Sequence, residues 1–342
     1  MPPCRKWRRC ARFWTAAAAA SCSTTKPPDW SGFSFGGLLH SPLALPLIGL
    51  IVVSCLMGLA SDSFFSLGNI MNVLRQVSVV GILAVGMTFV ILTGGIDLSV
   101  GAVMALVGTL AAGLMVNNGL PAPLALGAGL LIGLGIGLAN GFLVAWGRMP
   151  AIIVTLATMG MARGLGLIYS GGYPISGLPS WIPWFGVGRV GVVPVPVIIM
   201  VVIYALAWVL LQRTPFGRHV YALGGNETAA RLSGVKTRRV KLAVYAISGL
   251  TAALAALVLT GRLMSGQPNA GVGFELDAIA AVVLGGTAIA GGRGLILGTL
   301  IGAVLLGILN NGLNLMGINP YLQDVIKGAI ILLAIYIGRE WR

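Results

Sequence analysis

Apolar residues occur along this chain in long runs that short polar stretches interrupt. A helix needs about 20 mainly apolar residues to cross a hydrocarbon core of about 30 Å. By that criterion the pattern predicts about ten membrane spans, the eighth of them marginal in length, at approximately 43–60, 76–93, 98–117, 122–146, 151–169, 194–211, 241–261, 276–290, 294–315 and 321–338. The predicted fold is therefore an all-α, polytopic transmembrane helical bundle.

Composition supports a membrane protein, because 57% of the residues are hydrophobic and only 9% are charged. So few polar residues cannot cover the surface of a water-soluble domain of this size. Residues 1–40 contain basic residues, Pro27-Pro28 and many Ser, Thr and Gly, which predicts a disordered cytoplasmic tail. Residues 41–342 are predicted to form one transmembrane domain with a long cytoplasmic loop at 212–240.

The net charge of +14 follows from where the basic residues lie. With an even number of spans both termini lie on one side, and a cytoplasmic N-terminus places most lysines and arginines inside, as the positive-inside rule requires. Both termini are therefore predicted to be cytoplasmic, and no nucleic-acid partner is needed to explain the charge. Three arginines fall in the predicted outside loops, Arg75, Arg189 and Arg262.

The polar residues exclude several kinds of chemistry. The eight acidic residues all lie outside the middle of the predicted spans, whereas an ion-coupled carrier needs a carboxylate in the bilayer interior. The two histidines, His40 and His219, cannot assemble a catalytic triad or a multi-histidine metal site. No phosphate-binding G-x-x-x-x-G-K-[ST] motif occurs. The chain is therefore predicted to be neither an enzyme nor an ATPase, and to hold no metal or cofactor.

The motif TGGIDLSVG at 93–101 joins the second and third predicted spans on the cytoplasmic side. Gly94 and Gly95 permit a sharp turn there. Asp97 and Ser99 stand where the third helix begins, so their side chains are predicted to cap its free N–H groups.

Glycines at every fourth position follow one face of the fourth predicted span, and they are Gly129, Gly133, Gly137 and Gly141. Such a groove lets a second helix approach closely. The crossing is either a static contact or a sliding contact in a transporter that moves.

The stretch GGNETAARLSG at 224–234 is polar although it lies between long apolar runs. It is predicted to form a turn and then a short helix with Asn226 as N-cap, Glu227 at the positive end, Ala229-Ala230 as a small-residue face and Gly234 as terminator. Basic residues flank it and hold it on the cytoplasmic surface. Such a helix either inserts into a groove of a partner protein or lies on anionic lipid.

This loop resembles the coupling helix of bacterial ABC importer permeases, whose pattern is E-A-A-x-x-x-G. Thr228 stands here before Ala229, and Glu227 lies one residue early. The wider chain is similar to the ribose-type monosaccharide permease group, from about residue 60 to 338, through AVGMTFVILTGGIDLSVGAVMAL (84–106), RTPFGRHVYALGGNETAARLSGV (213–235) and ELDAIAAVVLGGTAIAGGRGLILGTLIGAVLLGILNNGLNLMGINPYLQ (275–323).

The resemblance implies an architecture similar to cobalamin importer permeases, with ten helices per subunit and a pore between two subunits in a homodimer or heterodimer. Its implied partners are a separate ABC ATPase that binds ATP and Mg, and a periplasmic sugar-binding protein. The transmembrane permease domain at 41–342 would move a monosaccharide, ribose first, across the bacterial inner membrane. The alternative is a stand-alone sugar facilitator or secondary carrier.

The resemblance also suggests roles for individual residues. Coupling to the ATPase would involve Gly224, Gly225, Asn226, Glu227, Thr228, Ala229, Ala230 and Gly234. The three outside arginines would dock the binding protein, or they would only snorkel to the membrane surface. Residues that would line a pathway, or only cap helix ends, are Gln267, Asn310, Asn311 and Asn314.

Overall fold

The computed structural model describes residues 43–339, so the tail predicted at 1–40 lies outside the described residues. The helices are α1 Ala44–Ala60, α2 Leu67–Leu92, α3 Val100–Val116, α4 Ala122–Ala145, α5 Ala151–Ser170, α6 Trp184–Val187, α7 Val195–Arg213, α8 Pro215–Gly225, α9 Glu227–Leu232, α10 Thr237–Leu263, α11 Phe274–Leu284, α12 Ile296–Leu315 and α13 Pro320–Arg339. Four two-residue strands pair antiparallel, β1 Ile175–Ser176 with β4 Ser265–Gly266 and β2 Arg189–Val190 with β3 Val193–Pro194.

The helical content confirms the all-α prediction. Of the described helices, six are long and apolar enough to cross a membrane, namely α2, α4, α5, α7, α10 and α12, and α1 and α3 are shorter apolar helices. The span predicted at 276–290, marginal in length, is not one continuous helix. Helix α11 has 11 residues, a length of about 16 Å, and it ends at Leu284 with Gly285 as the C-cap residue. Gly286, Gly291 and Gly292 then adopt positive φ angles, so the chain continues as an irregular loop.

Helix α2 is the centre of the bundle. From Val77 to Leu92 almost every residue is buried, and α10, α12, α11 and α7 pack around this segment. A helix that is apolar on every face is expected in such a position. By contrast, α4 and α5 expose large apolar side chains such as Leu131 and Ile168, which suits contact with lipid.

The predicted glycine groove of α4 forms a close crossing with α10. A Cβ atom at Gly133 would lie 2.6 Å from the Cβ of Ala253, and one at Gly137 would lie 3.1 Å from the Cα of Gly249. Gly141 faces the backbone of Leu242 in the same way. The glycines therefore set the distance between the two helix axes, because no side chain fits between them.

The loop between α7 and α10 contains one helix more than the sequence predicts. Residues 215–225 form α8, whose N-cap Thr214 accepts a hydrogen bond of 3.4 Å from the amide of Gly217. Pro215 stands at the first helical position, where its missing N–H costs nothing. The Thr-Pro pair was the signal for this helix start.

Candidate functional site

The short helix α9 forms where the sequence predicts it. The side chain of Asn226 accepts a hydrogen bond of 2.9 Å from the amide of Ala229, and Glu227 occupies the first turn. After Leu232 the chain turns away through Gly234, which has a φ of +87°. The predicted N-cap and terminator are therefore confirmed as structural roles, and both restrict α9 to six residues.

The two faces of α9 differ in exposure. Ala230 points back to the bundle and is 6% exposed, whereas Thr228, Ala229 and Arg231 are exposed. Leu232 is 82% exposed, so its whole side chain is available for contact with a partner protein. The sequence analysis missed Leu232, although a lone leucine between an Ala-Ala pair and a terminating glycine was visible.

An ion pair connects α9 to the transmembrane helix that follows. The Nζ atom of Lys241 in α10 donates to Oε2 of Glu227 over 2.8 Å. The Glu227 side chain is 49% exposed, so solvent screening limits such a pair to about 0–1 kcal/mol. Glu227 thus faces the bundle, and the contact surface of α9 consists of the residues after it.

Three backbone segments meet directly behind α9, at a contact that we call the glycine junction, formed by Leu92, Gly94, Gly224, Gly291 and Gly292. The amide of Gly292 donates a hydrogen bond of 2.9 Å to the carbonyl oxygen of Leu92. A methyl group at Gly224 would overlap both of these groups, and a Cβ atom at Gly291 would lie 2.8 Å from the amide nitrogen of Gly94. The end of α8, the α2–α3 turn and the α11–α12 loop therefore pack backbone against backbone.

A side-chain contact reinforces this junction. The hydroxyl group of Tyr221 in α8 donates a hydrogen bond of 2.9 Å to the carbonyl oxygen of Gly294. Burial raises the pKa of this hydroxyl above its ordinary value, so it remains a donor. The sequence predicts a turn at Gly94 and Gly95, but it does not predict that Gly291 and Gly292 meet Gly94 and Gly224 there.

A basic cavity of about 1070 Å³ opens beside residues 224–234, which we call the coupling segment after their predicted role. Gly94, Gly95, Glu227 and Thr228 are part of its lining. Its charged lining consists of Glu227 and six basic residues, Arg148, Arg231, Lys236, Arg238, Arg239 and Lys241. A macromolecule that docks here meets a concentrated positive potential, which favours an acidic counter-surface.

A buried polar network surrounds Asp97. One carboxylate oxygen accepts hydrogen bonds from the amide and the hydroxyl group of Ser99, at 3.0 and 2.6 Å, and the other accepts from the Ser248 hydroxyl at 2.7 Å. The Asn140 amide donates to the Ser99 oxygen at 3.1 Å, and Thr158 donates to Asn140 at 2.6 Å. These hydrogen bonds all point toward the Asp97 carboxylate. The network therefore joins the α2–α3 turn to α4, α5 and α10.

This network corrects two predictions. Ser99 is the N-cap residue of α3 without a side-chain capping bond. Asp97 accepts a hydrogen bond from the backbone N–H of Ser99 at the start of the helix, as predicted, but its carboxylate also binds the hydroxyl groups of Ser99 and Ser248. Asp97 is 2% exposed, and its partner Ser248 lies eleven residues after Thr237, about 17 Å along α10. A carboxylate does therefore lie inside the bundle, so the argument against an ion-coupled carrier from missing internal acids fails.

The predicted docking arginines do not share one environment. Arg262 lies near the end of α10, about 37 Å along the helix from Thr237 and thus far from the coupling segment. Arg262 and Arg75 are half-buried and close enough to repel each other. Of the three, only Arg189 in β2 is exposed.

Two of the four predicted pathway residues lie together. Asn310 and Asn314 line a cavity of about 260 Å³ at the Arg262 end, which we call the distal cavity. Asn311 lies elsewhere, because it exchanges two hydrogen bonds of 2.8 Å with Asn69. Gln267 donates to Ser265 at 3.2 Å and lines a separate space of only about 10 Å³.

In the part of the chain that the structure describes, no group of three or more His, Cys, Asp or Glu side chains lies close enough to hold a metal ion.

Bacterial sugar permeases are similar in sequence to most of the chain. The ribose import permease protein of Bacillus subtilis is 51% identical over 297 residues, which cover 86% of this chain and 92% of that protein. The ribose import permease protein of Haemophilus influenzae is 50% identical over 91% of this chain and 98% of its own. The xylose transport system permease protein of Escherichia coli is 36% identical over 91% of this chain and 95% of its own.

No solved structure matches the chain. Residues 69–335, which include α9, the glycine junction and the distal cavity, match the family described as branched-chain amino acid transport system / permease component. The chain therefore belongs to this family of transport permeases, and it is a multi-pass protein of the bacterial inner membrane.

Proposed function

We propose that this chain is the membrane-spanning subunit of an ABC importer that moves ribose into the bacterial cytoplasm. The observation that carries the proposal is the pairing of an exposed coupling helix, α9, with a chain that is about half identical to two ribose import permeases. The weaker identity to a xylose permease, 36%, favours ribose over xylose. The family's description names amino acids, so sugar specificity rests on the individual relatives.

The proposed partner at α9 is a separate ATPase subunit that binds ATP and Mg. Leu232 is an exposed apolar residue that would fit a pocket in a groove of the ATPase. The basic cavity beside it would suit acidic residues around that groove. When the ATPase moves α9, the glycine junction transmits the displacement to the α2–α3 turn and to the α11–α12 loop. Backbone packed on backbone has no flexible side chain that can absorb the movement.

The proposed topology places both termini and α9 in the cytoplasm and the Arg262 end outside. A periplasmic sugar-binding protein would dock at that outer end, where Arg189 is free to meet an acidic patch. Two permease copies, identical or different, would enclose the pathway between them. Cysteine labelling at Asn226 in intact cells and in inverted vesicles tests this orientation.

Reconstitution tests the importer against the alternative of a stand-alone facilitator. Vesicles that contain the permease, its ATPase and its binding protein should accumulate ribose only when ATP is present on the α9 side. Vesicles that contain the permease alone should neither hydrolyse ATP nor take up ribose. Ribose uptake by the permease alone would establish the facilitator instead.

A further inference from the structure

The distal cavity combines features of a binding site for a small, uncharged, hydroxyl-rich molecule. Its polar lining includes four side-chain amides and three charged groups, Gln76, Asn310, Asn314, Gln323, Arg262, Lys327 and Asp277. Amides donate and accept hydrogen bonds, as sugar hydroxyl groups do. Phe274, Val80 and Leu306 supply apolar surface for the C–H groups of a sugar ring.

We propose that this cavity is a monosaccharide-binding site inside the permease subunit, which holds the sugar after the binding protein has released it. The inference rests on the proposed function, because it concerns the same import reaction. The proposed function places the pathway between two subunits, and this inference places a sugar-binding site within each subunit.

Hydrogen-bonding capacity remains available in the cavity. The side-chain oxygen of Asn310 is buried and has no hydrogen-bond partner among the described residues. A buried polar atom without a partner is unfavourable, and a hydrogen bond from a ligand hydroxyl group would remove that cost. Asn311, one residue further on, satisfies its amide with Asn69 and has no such capacity.

The charged groups in the lining also leave room for a ligand. Lys327 lies 3.9 Å from Asp277 and 3.3 Å from Asp324, so it is shared between two carboxylates and bound tightly to neither. Asp277 can accept a hydrogen bond from a sugar hydroxyl, and Arg262 and Lys327 can donate one. Gln323 is already bound to Asn314 and to the Ile318 carbonyl, which fixes the wall that α13 contributes.

The size of the cavity selects its occupant. Sites for drug-sized ligands measure about 300–1,000 Å³, and the distal cavity measures about 260 Å³. One sugar ring suits this volume better than a disaccharide. The site therefore adds a size limit to whatever selection the binding protein makes.

The cavity is also connected to the coupling segment through the backbone. Phe274 and Asp277 belong to α11, and Ala303, Leu306 and Asn310 belong to α12. The loop that joins these two helices carries Gly291 and Gly292 of the glycine junction. A displacement of α9 thus reaches the two helices that form most of the cavity wall, which gives a route for sugar release.

Direct binding tests the inference. Saturation-transfer NMR on the purified permease in lipid nanodiscs should detect D-ribose but not sucrose. Asn310→Leu should reduce the ribose signal at least fivefold, and Val80→Phe, which fills the cavity from α2, should do the same. The control Asn117→Leu changes an exposed amide at the end of α3 and should leave the signal unchanged. Binding of a sugar phosphate in preference to ribose would overturn the assignment to a neutral sugar.

Transport by the full complex supplies the second readout. Asn310→Leu should lower ATP-driven ribose uptake at least tenfold while ATPase stimulation by the ribose-loaded binding protein stays within twofold, which shows that the complex is assembled. If Asn310→Leu does not assemble, Asn314→Ala decides, because this exposed residue lies outside the packed core. Wild-type binding and uptake in these variants would overturn the cavity site alone, whereas failure of the wild-type complex to import ribose would overturn the proposed function.

Discussion

The amide of Gly292 donates a hydrogen bond of 2.9 Å to the carbonyl oxygen of Leu92, and Gly224 lies against both groups. These residues come from the α11–α12 loop, the end of α2 and the end of α8. Their contact joins the coupling segment to the bundle without any intervening side chain. The proposed transport cycle depends on this contact. A displacement of α9 reaches the bundle only if the contact is rigid enough to transmit it.

Leu232→Ser should weaken binding of the ATPase without affecting the permease itself. The side chain is 82% exposed, so its loss removes little from the free subunit. If it fills a pocket of the partner, its truncation removes a buried anchor, and we expect at least a tenfold loss of affinity.

The measurement is co-purification and titration of the ATPase on the purified permease. Ser233→Ala is the matched control, since Ser233 is the exposed neighbour on the same helix end. Unchanged affinity of Leu232→Ser would remove this residue from the proposed interface.

Gly137→Ala should destabilise the bundle. The new methyl group would lie 3.1 Å from the Cα of Gly249 and would overlap the Tyr245 carbonyl, so α4 and α10 must separate. We expect a melting temperature several degrees lower and a reduced yield of inserted protein.

Gly135→Ala is the control for this prediction, because a Cβ atom at Gly135 has no neighbour within 4 Å. Alanine is favoured over glycine in a helix by up to about 1 kcal/mol, so this variant should be as stable as the wild type or slightly more so. Equal stability of Gly137→Ala and Gly135→Ala would contradict the close crossing.

Asp97→Asn should destabilise the protein and impair transport. The amide that replaces one carboxylate oxygen is a donor, and it would face the donors of Ser99 or Ser248. Hydrogen bonds to a charged group contribute about 1.5–3 kcal/mol each, so we expect a loss of this order in thermal unfolding.

A double-mutant cycle with Ser248→Ala measures the network itself. Because Ser248 binds Asp97 directly, the two changes should be less than additive by about 0.5–3 kcal/mol. Strict additivity would show that the carboxylate acts independently of α10.

The sequence predicted the features that depend on neighbouring residues. Asn226 and Gly234 define α9 through contacts within ten residues, and the glycines of α4 reveal their face by spacing alone. The Asp97 network was beyond such reasoning, because Asn140 and Ser248 lie 41 and 151 residues away from their partners. The sequence pattern around 97–99 is compatible with capping until those partners are known.

The glycine junction and the distal cavity were missed for the same reason. Gly224 and Gly292 each look like ordinary loop glycines, and only the folded chain brings both to Leu92. Asn310 and Asn311 are indistinguishable by composition, yet one lines a cavity and the other pairs with Asn69. The missed end of α11 at Gly285 is different, because the glycine-rich sequence after it was visible but was taken as part of an apolar span.

The most direct test of the account compares Gly224→Ala with Gly225→Ala in the reconstituted importer. A methyl group at Gly224 has no space beside the Leu92 carbonyl, whereas one at Gly225 meets no atom within 4 Å. ATP-driven ribose uptake should fall at least tenfold in Gly224→Ala while the ATPase remains bound, and it should stay near the wild-type rate in Gly225→Ala. Wild-type uptake by Gly224→Ala would contradict transmission through the glycine junction.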